Sequence, residues 1–347
     1  MTASAYSFAG VTIPPNSKRL FVTADLVPSN GNPLIQPTGF PDVGPVFYPD
    51  PSGRHGQICL IESEASMANR LEEVCMADKY TGTLCGELAS LPYLQVQQSG
   101  QFRTSSTIEG HRFASQYVLE TSTAAFAAAG SPPEMLVEYV KRELGASSDG
   151  KRVPAANVPT IFRLAMELDP LALIHGFQIS LGSLSFVGLR SPRSLCATIV
   201  GLNARPVGVP GVKFDPIGTS DAGQAIFRRE RIVADVVEAS FTIDIALIRS
   251  LKLADNPALQ GPREELLIAL CLWKIARFLW KHDEGNRLRS ECDLRLNSTK
   301  LPTYKLGARG TVEEAFPFDT IATQSLQLQI AAAQFPATSG SPLQLQA

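Results

Sequence analysis

Basic side chains suited to phosphate binding recur in three stretches of the sequence. They flank a Ser-Pro step, occur in and after a glycine-rich segment, and alternate along a later strand-like segment. Recognition of phosphate uses such cations together with backbone N–H groups and small hydroxyls. The candidates are Arg190, Arg193, Lys213, Arg228, Arg229, Arg231, Arg287, Arg289 and Arg295. The aromatic residues available to stack on bases are Phe40, Phe47, Tyr48 and Phe214.

The charges are distributed unevenly, although the net charge is only −2. Residues 190–231 carry seven Lys and Arg against three Asp and Glu, and residues 273–309 carry nine against four. The rest of the chain is therefore acidic, so the protein could present one positive groove on an acidic body. From charge alone, ordinary solvated faces are the preferred explanation of the same pattern.

The sequence has only four histidines, so it offers few candidate residues for acid–base catalysis or metal binding. His111 adjoins Arg112, whereas His175 lies in an apolar segment and is interpreted from its neighbours as a core histidine with satisfied hydrogen bonds. Glycine-rich nucleotide motifs, the nucleophile elbow and the zinc-protease motif are absent from the sequence. We expect no cofactor and no metal. The loop carboxylates, which have no spacing that requires joint acid–base work, are Asp42, Asp215 and Asp293.

The apolar segments and the cysteines indicate the cellular compartment of the protein. The most apolar run, Leu266 to Trp273, is stopped by Lys274, far short of the roughly 20 residues that a bilayer requires. No secretory signal is visible at the N-terminus. The six cysteines form no Cys-x-x-Cys pair, which favours a reducing compartment. We therefore expect a cytoplasmic protein that does not bind membranes.

Hydrophobic periodicity predicts alternating strands and helices around these candidates. Ser63 is suited to cap a helix that runs to about Tyr80, and Gly261-Pro262 opens a long buried helix that ends near Trp280. Further helices are expected at 109–119, 133–144 and 159–168. The predicted strands are 19–27, 57–62, 93–98, 102–106, 171–179 and 241–248.

This mixture predicts the α+β class with one domain rather than two. Residues 1–18 form an N-terminal segment, and residues 19–335 form the domain. Glycine and proline concentrate in two long loops at about 28–56 and 201–232. Residues 336–347 are expected to be a flexible tail.

Several blocks resemble a known family, the backbone RAMP protein of subtype I-G CRISPR systems, formerly called I-U. Their order and spacing match from about Arg19 to Arg295. The blocks are QPTGFPDVG from Gln36, LIESEASMANRLEEVC from Leu60, SSTIEGHRFAS from Ser105, ELDPLALIHG from Glu167 and ELLIALCLWKIARFL from Glu265.

The resemblance implies an RRM-like (ferredoxin-like) palm with finger and thumb insertions, assembled as a helical filament on CRISPR RNA. It implies a non-catalytic subunit of a Cascade complex whose partners are the CRISPR RNA, the target DNA strand through the guide, other copies of itself and other Cascade subunits. It also implies RNA contacts at Gln36, Ser66, Asn69, Arg70, His111, Arg112 and His175.

Two other functions remain open from the sequence. Related backbone subunits of other CRISPR types cleave RNA with a loop aspartate, and Asp42 or Asp215 would serve here in a metal-dependent ribonuclease. A metabolic enzyme with an apolar pocket is the weaker alternative, because no cofactor motif supports it.

Overall fold

A computed structural model describes residues 5–40, 44–127, 132–147, 152–179, 190–208, 231–281, 286–288, 290, 292–307, 311–336 and 340–347. The helices are α1 (Glu64–Glu73), α2 (Gln116–Leu119), α3 (Leu136–Glu143), α4 (Thr160–Leu168), α5 (Leu171–His175), α6 (Ile245–Ser250), α7 (Pro257–Lys281), α8 (Phe318–Ala322) and α9 (Gln327–Ala333). Short 3₁₀ turns cover Gly86–Leu88, Arg112–Ala114, Ala124–Phe126 and Ala155–Asn157.

The strands fall into one large sheet, one smaller sheet and several two-stranded pairs. They are β1 (Tyr6–Phe8), β2 (Val11–Ile13), β3 (Arg19–Pro28), β4 (Gly39–Phe40), β5 (Gly44–Pro45), β6 (Phe47–Pro49), β7 (Gln57–Glu62), β8 (Met76–Asp78), β9 (Thr83–Leu84), β10 (Leu94–Gln98), β11 (Gln101–Ser105), β12 (Ser122–Thr123), β13 (Glu134–Met135), β14 (Phe177–Gln178), β15 (Arg190–Ser191), β16 (Leu195–Leu202), β17 (Arg205–Val207), β18 (Arg231–Val233), β19 (Val236–Asp244), β20 (Asn286–Arg287), β21 (Asp293–Leu296), β22 (Thr303–Leu306), β23 (Glu314–Ala315) and β24 (Leu343–Gln346).

The large sheet has the order β20-β21-β3-β19-β16-β7-β6, with β22 also pairing β3. Its neighbouring strands are antiparallel. Alternate residues of β3, β16 and β19 are buried because successive side chains of a strand point to opposite faces. The long helix α7 covers this buried face, where the Phe241 ring of β19 meets the Phe278 ring edge-on at 5.8 Å between centroids.

The sequence predicted the best-patterned elements correctly. Strand β3 lies where alternation placed it, and β7 lies where the apolar run 57–62 predicted a buried strand. The side chain of Ser63 accepts a hydrogen bond from the Ser66 N–H at the start of α1. The α+β class is confirmed. Helix α7 begins one turn earlier than expected, at Pro257, because the Asn256 side chain accepts the Ala258 N–H.

Several predicted elements are wrong in type or length. Residues 171–175 form helix α5 rather than a strand, because a short apolar run has no periodicity of its own and Pro170 suits a helix start. Helix α1 ends at Glu73, and β8 follows it. The segment 241–248 divides where the Asp244 side chain accepts the Leu247 N–H and begins α6.

The helix predicted at 109–119 is also broken. It consists of a 3₁₀ turn and α2, because Ser115 caps α2 through the Tyr117 N–H. The helix expected from Pro133 begins only at Leu136, and Glu134–Met135 pairs as β13.

The predicted flexible tail is wrong for its last residues. Strand β24 lies between β10 and β12 in the smaller sheet, whose order is β11-β10-β24-β12-β13. Leu345 is completely buried there. Polar and apolar residues alternate in the LQLQ segment, which is a strand pattern that its terminal position obscured.

The described residues form one continuous hydrophobic core. The N-terminal hairpin of β1 and β2 contributes Phe8, Val11 and Ile13 to it. No helix among the described residues is long and apolar enough to cross a bilayer. All six cysteines are free thiols.

Candidate functional site

Arg112 lies inside the protein, 8% exposed, and connects three elements. Its Nε donates to Glu72 Oε1 on α1 at 2.7 Å, and its Nη1 donates to the carbonyl oxygen of Gly176 at 2.7 Å. Its backbone has a φ of +56°, which residues other than glycine adopt rarely. These bonds fix α1 relative to the 3₁₀ turn at Arg112 and the end of α5.

His175 and Lys274 form a second buried pair beside Arg112. Lys274 is fully buried on α7, and its Nζ contacts His175 Nε2 at 2.8 Å and the Leu71 carbonyl oxygen at 3.3 Å. Burial lowers the pKa of His175 well below 6.5, and the charges of Lys274 and Arg112 lower it further. The imidazole is therefore neutral, and its Nε2 accepts a hydrogen bond from the lysine.

Asp169 completes a polar cluster in which Arg112, Asp169, His175 and Lys274 are buried and Glu72 is half-buried. Burial raises the pKa of the Asp169 carboxyl from 3.8 to about 6, although Arg112 and Ser106 act in the opposite direction. The folded protein thus holds a proton that the unfolded chain releases between about pH 4 and pH 6. This carboxyl consequently makes the free energy of unfolding fall as pH rises through that window.

Replacing Asp169 with asparagine is expected to remove this part of the pH dependence. One pKa unit corresponds to about 1.4 kcal/mol. The free energy of unfolding of Asp169→Asn, compared with that of the wild type, should therefore rise by up to about 3 kcal/mol from about pH 4 to pH 7. Urea denaturation at both pH values measures the difference. As a control, Asp78→Asn should show almost no pH-dependent change over this range, because the Tyr80 N–H lowers the pKa of Asp78 below 3.8 and its titration therefore falls below about pH 4. If the unfolding free energies of Asp169→Asn and the wild type differ by the same amount at both pH values, the expectation is contradicted.

The outward side of α1 carries the accessible polar residues near this cluster. Asn69 and His111 are exposed, and Arg70 is half-buried with its Nη1 donating to Glu73 at 2.8 Å. Ser66, in contrast, is buried. The buried cluster therefore positions α1 and the 3₁₀ turn, while Asn69 and His111 face solvent and are available to a ligand.

A polar cleft of about 180 Å³ lies where the two long insertions meet. Ile35 and Ile232 exchange both backbone hydrogen bonds, which joins the insertion after β3 to the one after β16. Beside this bridge, the Gln36 N–H donates to Cys292 Sγ at 3.1 Å, and the Cys292 thiol donates to the Gln36 carbonyl at 2.7 Å. Burial raises the pKa of Cys292, so the thiol keeps its proton. The cleft is lined by Asn30, Asn32, Gln36, Arg231, Cys292 and Asp293, among others.

The remaining basic candidates do not converge on one place. Arg190 is exposed on β15, and Arg193 lies beyond it, close enough to His175 to affect its pKa. Arg287 is exposed on the edge strand β20 of the large sheet. It is separated from β16, the strand after Arg190 and Arg193, by three strands, β21, β3 and β19. The candidates that fall outside the described residues are Asp42, Lys213, Phe214, Asp215, Arg228, Arg229 and Arg289.

Sequence reasoning missed one exposed pair, Lys79 and Tyr80, between β8 and β9. Tyr80 is 79% exposed, which is more than any other aromatic residue among those described. The segment from Asp78 to Gly82 has the composition of a turn, and an aromatic residue inside a turn was the available signal. Among the described residues, no three His, Cys, Asp or Glu side chains are grouped so that they could hold a metal ion.

Comparison with known proteins adds one finding to this geometry. The model of the family described as CRISPR-associated protein GSU0053 matches residues 20–206, more than half of the chain. The matched range contains β3, β7, α1 and β16 of the large sheet, together with Arg112 and His175. None of the curated proteins matches the sequence.

Proposed function

We propose that this chain, which belongs to the CRISPR-associated protein GSU0053 family, is the guide-RNA-binding backbone subunit of a cytoplasmic type I-G interference complex. It binds RNA and assembles with further copies of itself, and it carries out no catalysis. The observation that carries the proposal is the connection of the large sheet. When the elements inserted between them are set aside, including β7 between β3 and α1, the elements β3, α1, β16, β19, α7 and β21 follow the β-α-β-β-α-β sequence of ferredoxin-like domains.

The strand order supports an RRM-like palm. The four strands of this unit lie in the order β21-β3-β19-β16, so the first and third strands are central and each pairs antiparallel with its neighbours. Strand β7 extends the sheet beyond β16. This is the arrangement expected of the RAMP fold that the sequence resembles.

The insertions support an RNA groove at one end of this palm. Leu26 near the end of β3 pairs with Val237 near the start of β19, and Leu202 at the end of β16 pairs with Val236. Both long insertions therefore leave the sheet at the same end, and the Ile35–Ile232 bridge holds them together. Fingers or thumbs that clasp one strand of RNA would need this placement.

The chemistry of the cleft suits a sugar-phosphate backbone. Amide side chains of Asn30, Asn32 and Gln36 can donate to phosphate and ribose oxygens, and Arg231 adds a guanidinium. Such contacts do not depend on base identity, so the guide itself would supply sequence specificity by pairing with the target DNA strand. The partners of the subunit are accordingly CRISPR RNA, neighbouring copies and other Cascade subunits.

Co-purification tests this function directly. The tagged chain would be expressed with its genomic neighbours and a CRISPR array, and the nucleic acid that elutes with it would be sequenced. We expect discrete repeat-spacer RNA in a large assembly that contains several copies of the chain. A monomer that elutes free of nucleic acid under these conditions would refute the proposal.

The salt dependence of binding tests the cleft. Replacing Arg231 with alanine should weaken binding of single-stranded RNA and reduce the magnitude of the log–log salt slope by about 0.7, because one phosphate contact is lost. Fluorescence anisotropy over a range of salt concentrations measures the slope. The matched control is Lys141→Ala on α3, whose ammonium pairs with Glu138, and it should leave the slope unchanged. An unchanged slope for Arg231→Ala would exclude this cleft as the phosphate site.

A further inference from the structure

The β8–β9 turn presents a tyrosine ring to solvent on a firmly held backbone. Tyr80 is 79% exposed, yet the backbone that carries it is tightly held. Asp78 accepts the Tyr80 N–H at 2.8 Å through one carboxylate oxygen and the Thr81 hydroxyl at 2.9 Å through the other. The Thr81 and Thr83 hydroxyls are 2.8 Å apart.

Gly82 anchors the same turn to the buried loop after β11. It has a φ of +65°, and a Cβ at this position would lie 2.1 Å from Thr107 Oγ1 and 2.3 Å from Ser105 Oγ. The Thr107 hydroxyl donates to the Gly82 carbonyl oxygen at 2.7 Å. Only glycine permits this close approach, so the turn is fixed before any ligand arrives.

The surroundings of Tyr80 resemble a stacking platform more closely than a protein-docking patch. The Lys79 ammonium lies 5.6 Å from the centre of the Tyr80 ring. Ile108, which is 37% exposed, packs near Gly82, and the exposed His111 follows it in the chain. Protein hot spots lie in apolar clusters that exclude water, whereas a single aromatic ring beside a cation is typical of sites for single-stranded nucleic acid.

We propose that Tyr80 is a base-stacking residue for single-stranded nucleic acid and that Lys79 binds the adjoining phosphate. This inference deepens the proposed function, on which it rests, by naming a contact outside the cleft. The ring supplies a flat apolar face to any base, so no sequence preference results. The same chemistry would bind guide RNA or a DNA strand, and the two sources are distinguished by experiment.

The test measures affinity of the full chain for a fluorescein-labelled oligouridylate and, in parallel, for the matching oligothymidylate, by anisotropy. Tyr80→Ala should weaken binding about 5- to 150-fold, since stacking on one base contributes about that much. Tyr80→Phe should bind like the wild type because the ring, not the hydroxyl, makes the contact. Lys79→Ala should reduce the salt slope by about 0.7. The matched control is Tyr117→Ala on α2, another tyrosine that is 65% exposed.

The outcomes separate this inference from the function on which it rests. A loss for Tyr80→Ala on RNA alone assigns the site to the guide, and a loss on DNA alone assigns it to a DNA strand. An equal loss on both supports a stacking site that accepts either strand. If the wild type binds RNA and Tyr80→Ala binds within twofold of Tyr117→Ala, the stacking site is refuted while the RNA-binding function stands. If Tyr80→Ala instead changes only the sedimentation of the assembly, Tyr80 is a protein contact and the inference is overturned. A wild type that binds neither strand would refute both.

Discussion

Replacing Arg112 with alanine is expected to lower the free energy of unfolding by about 3–5 kcal/mol, because it removes a buried guanidinium and leaves the largely buried Glu72 carboxylate, 16% exposed, without its partner. The Glu72 carboxylate accepts the Arg112 Nε–H at 2.7 Å, and the Gly176 carbonyl accepts a second hydrogen bond at 2.7 Å. Both acceptors would lose that donor at once. Alanine retains the backbone strain at φ +56°, so relief of strain would not offset the loss. Chemical denaturation measures the change.

The control for Arg112 is an arginine with an exposed ion pair. Arg205 donates to Asp235 at 2.9 Å while its side chain is 64% exposed, and Arg205→Ala should cost no more than about 1 kcal/mol. Equal losses for the two variants would mean that the Arg112–Glu72 pair contributes no more than a surface pair. The exposed residues Asn69 and His111 should also lose their fixed arrangement in Arg112→Ala, so RNA affinity should fall together with stability.

Placing an aspartate at Leu345 should destabilise the protein by at least about 3 kcal/mol. Leu345 is completely buried on β24, and its replacement removes apolar packing and places a carboxylate in the core. Strand β24 pairs with β10 on one side and with β12 on the other, so the damage should reach the whole smaller sheet. Thermal unfolding and hydrogen exchange in β10 report the effect.

The neighbouring Gln346→Asp variant is the matched control. Gln346 lies on the same strand but is exposed, because successive side chains alternate between faces. This variant should stay within about 0.5 kcal/mol of the wild type. If Leu345→Asp is equally mild, the segment 343–346 behaves as the flexible tail that its position in the sequence first predicted.

Local patterns were sufficient for some of the elements that pack against the core. Alternation located β3, a short apolar run located β7, and the apolar residues around the whole of α7 indicated a buried helix. Ser63 was identifiable as a cap because its side chain needs only a neighbouring backbone N–H. The absence of cofactor motifs and the family resemblance were likewise properties of the sequence, and the match over residues 20–206 confirms the CRISPR association.

Tertiary contacts decided the rest. His175 was interpreted from its neighbours as a core histidine, and it is buried as expected, but only the fold supplied its partner Lys274, 99 residues away in the chain. No local pattern could show that Arg112 faces inward while the adjacent His111 faces solvent, because that depends on Glu72 and Gly176. Whether Arg112 and His175 also touch RNA stays a prediction. The sequence by itself determined the strongly patterned elements, such as β3 and α7, and the family, since these follow from periodicity and residue type. The fold decided the remaining elements and which polar residues are buried or exposed, since both depend on residues distant in sequence.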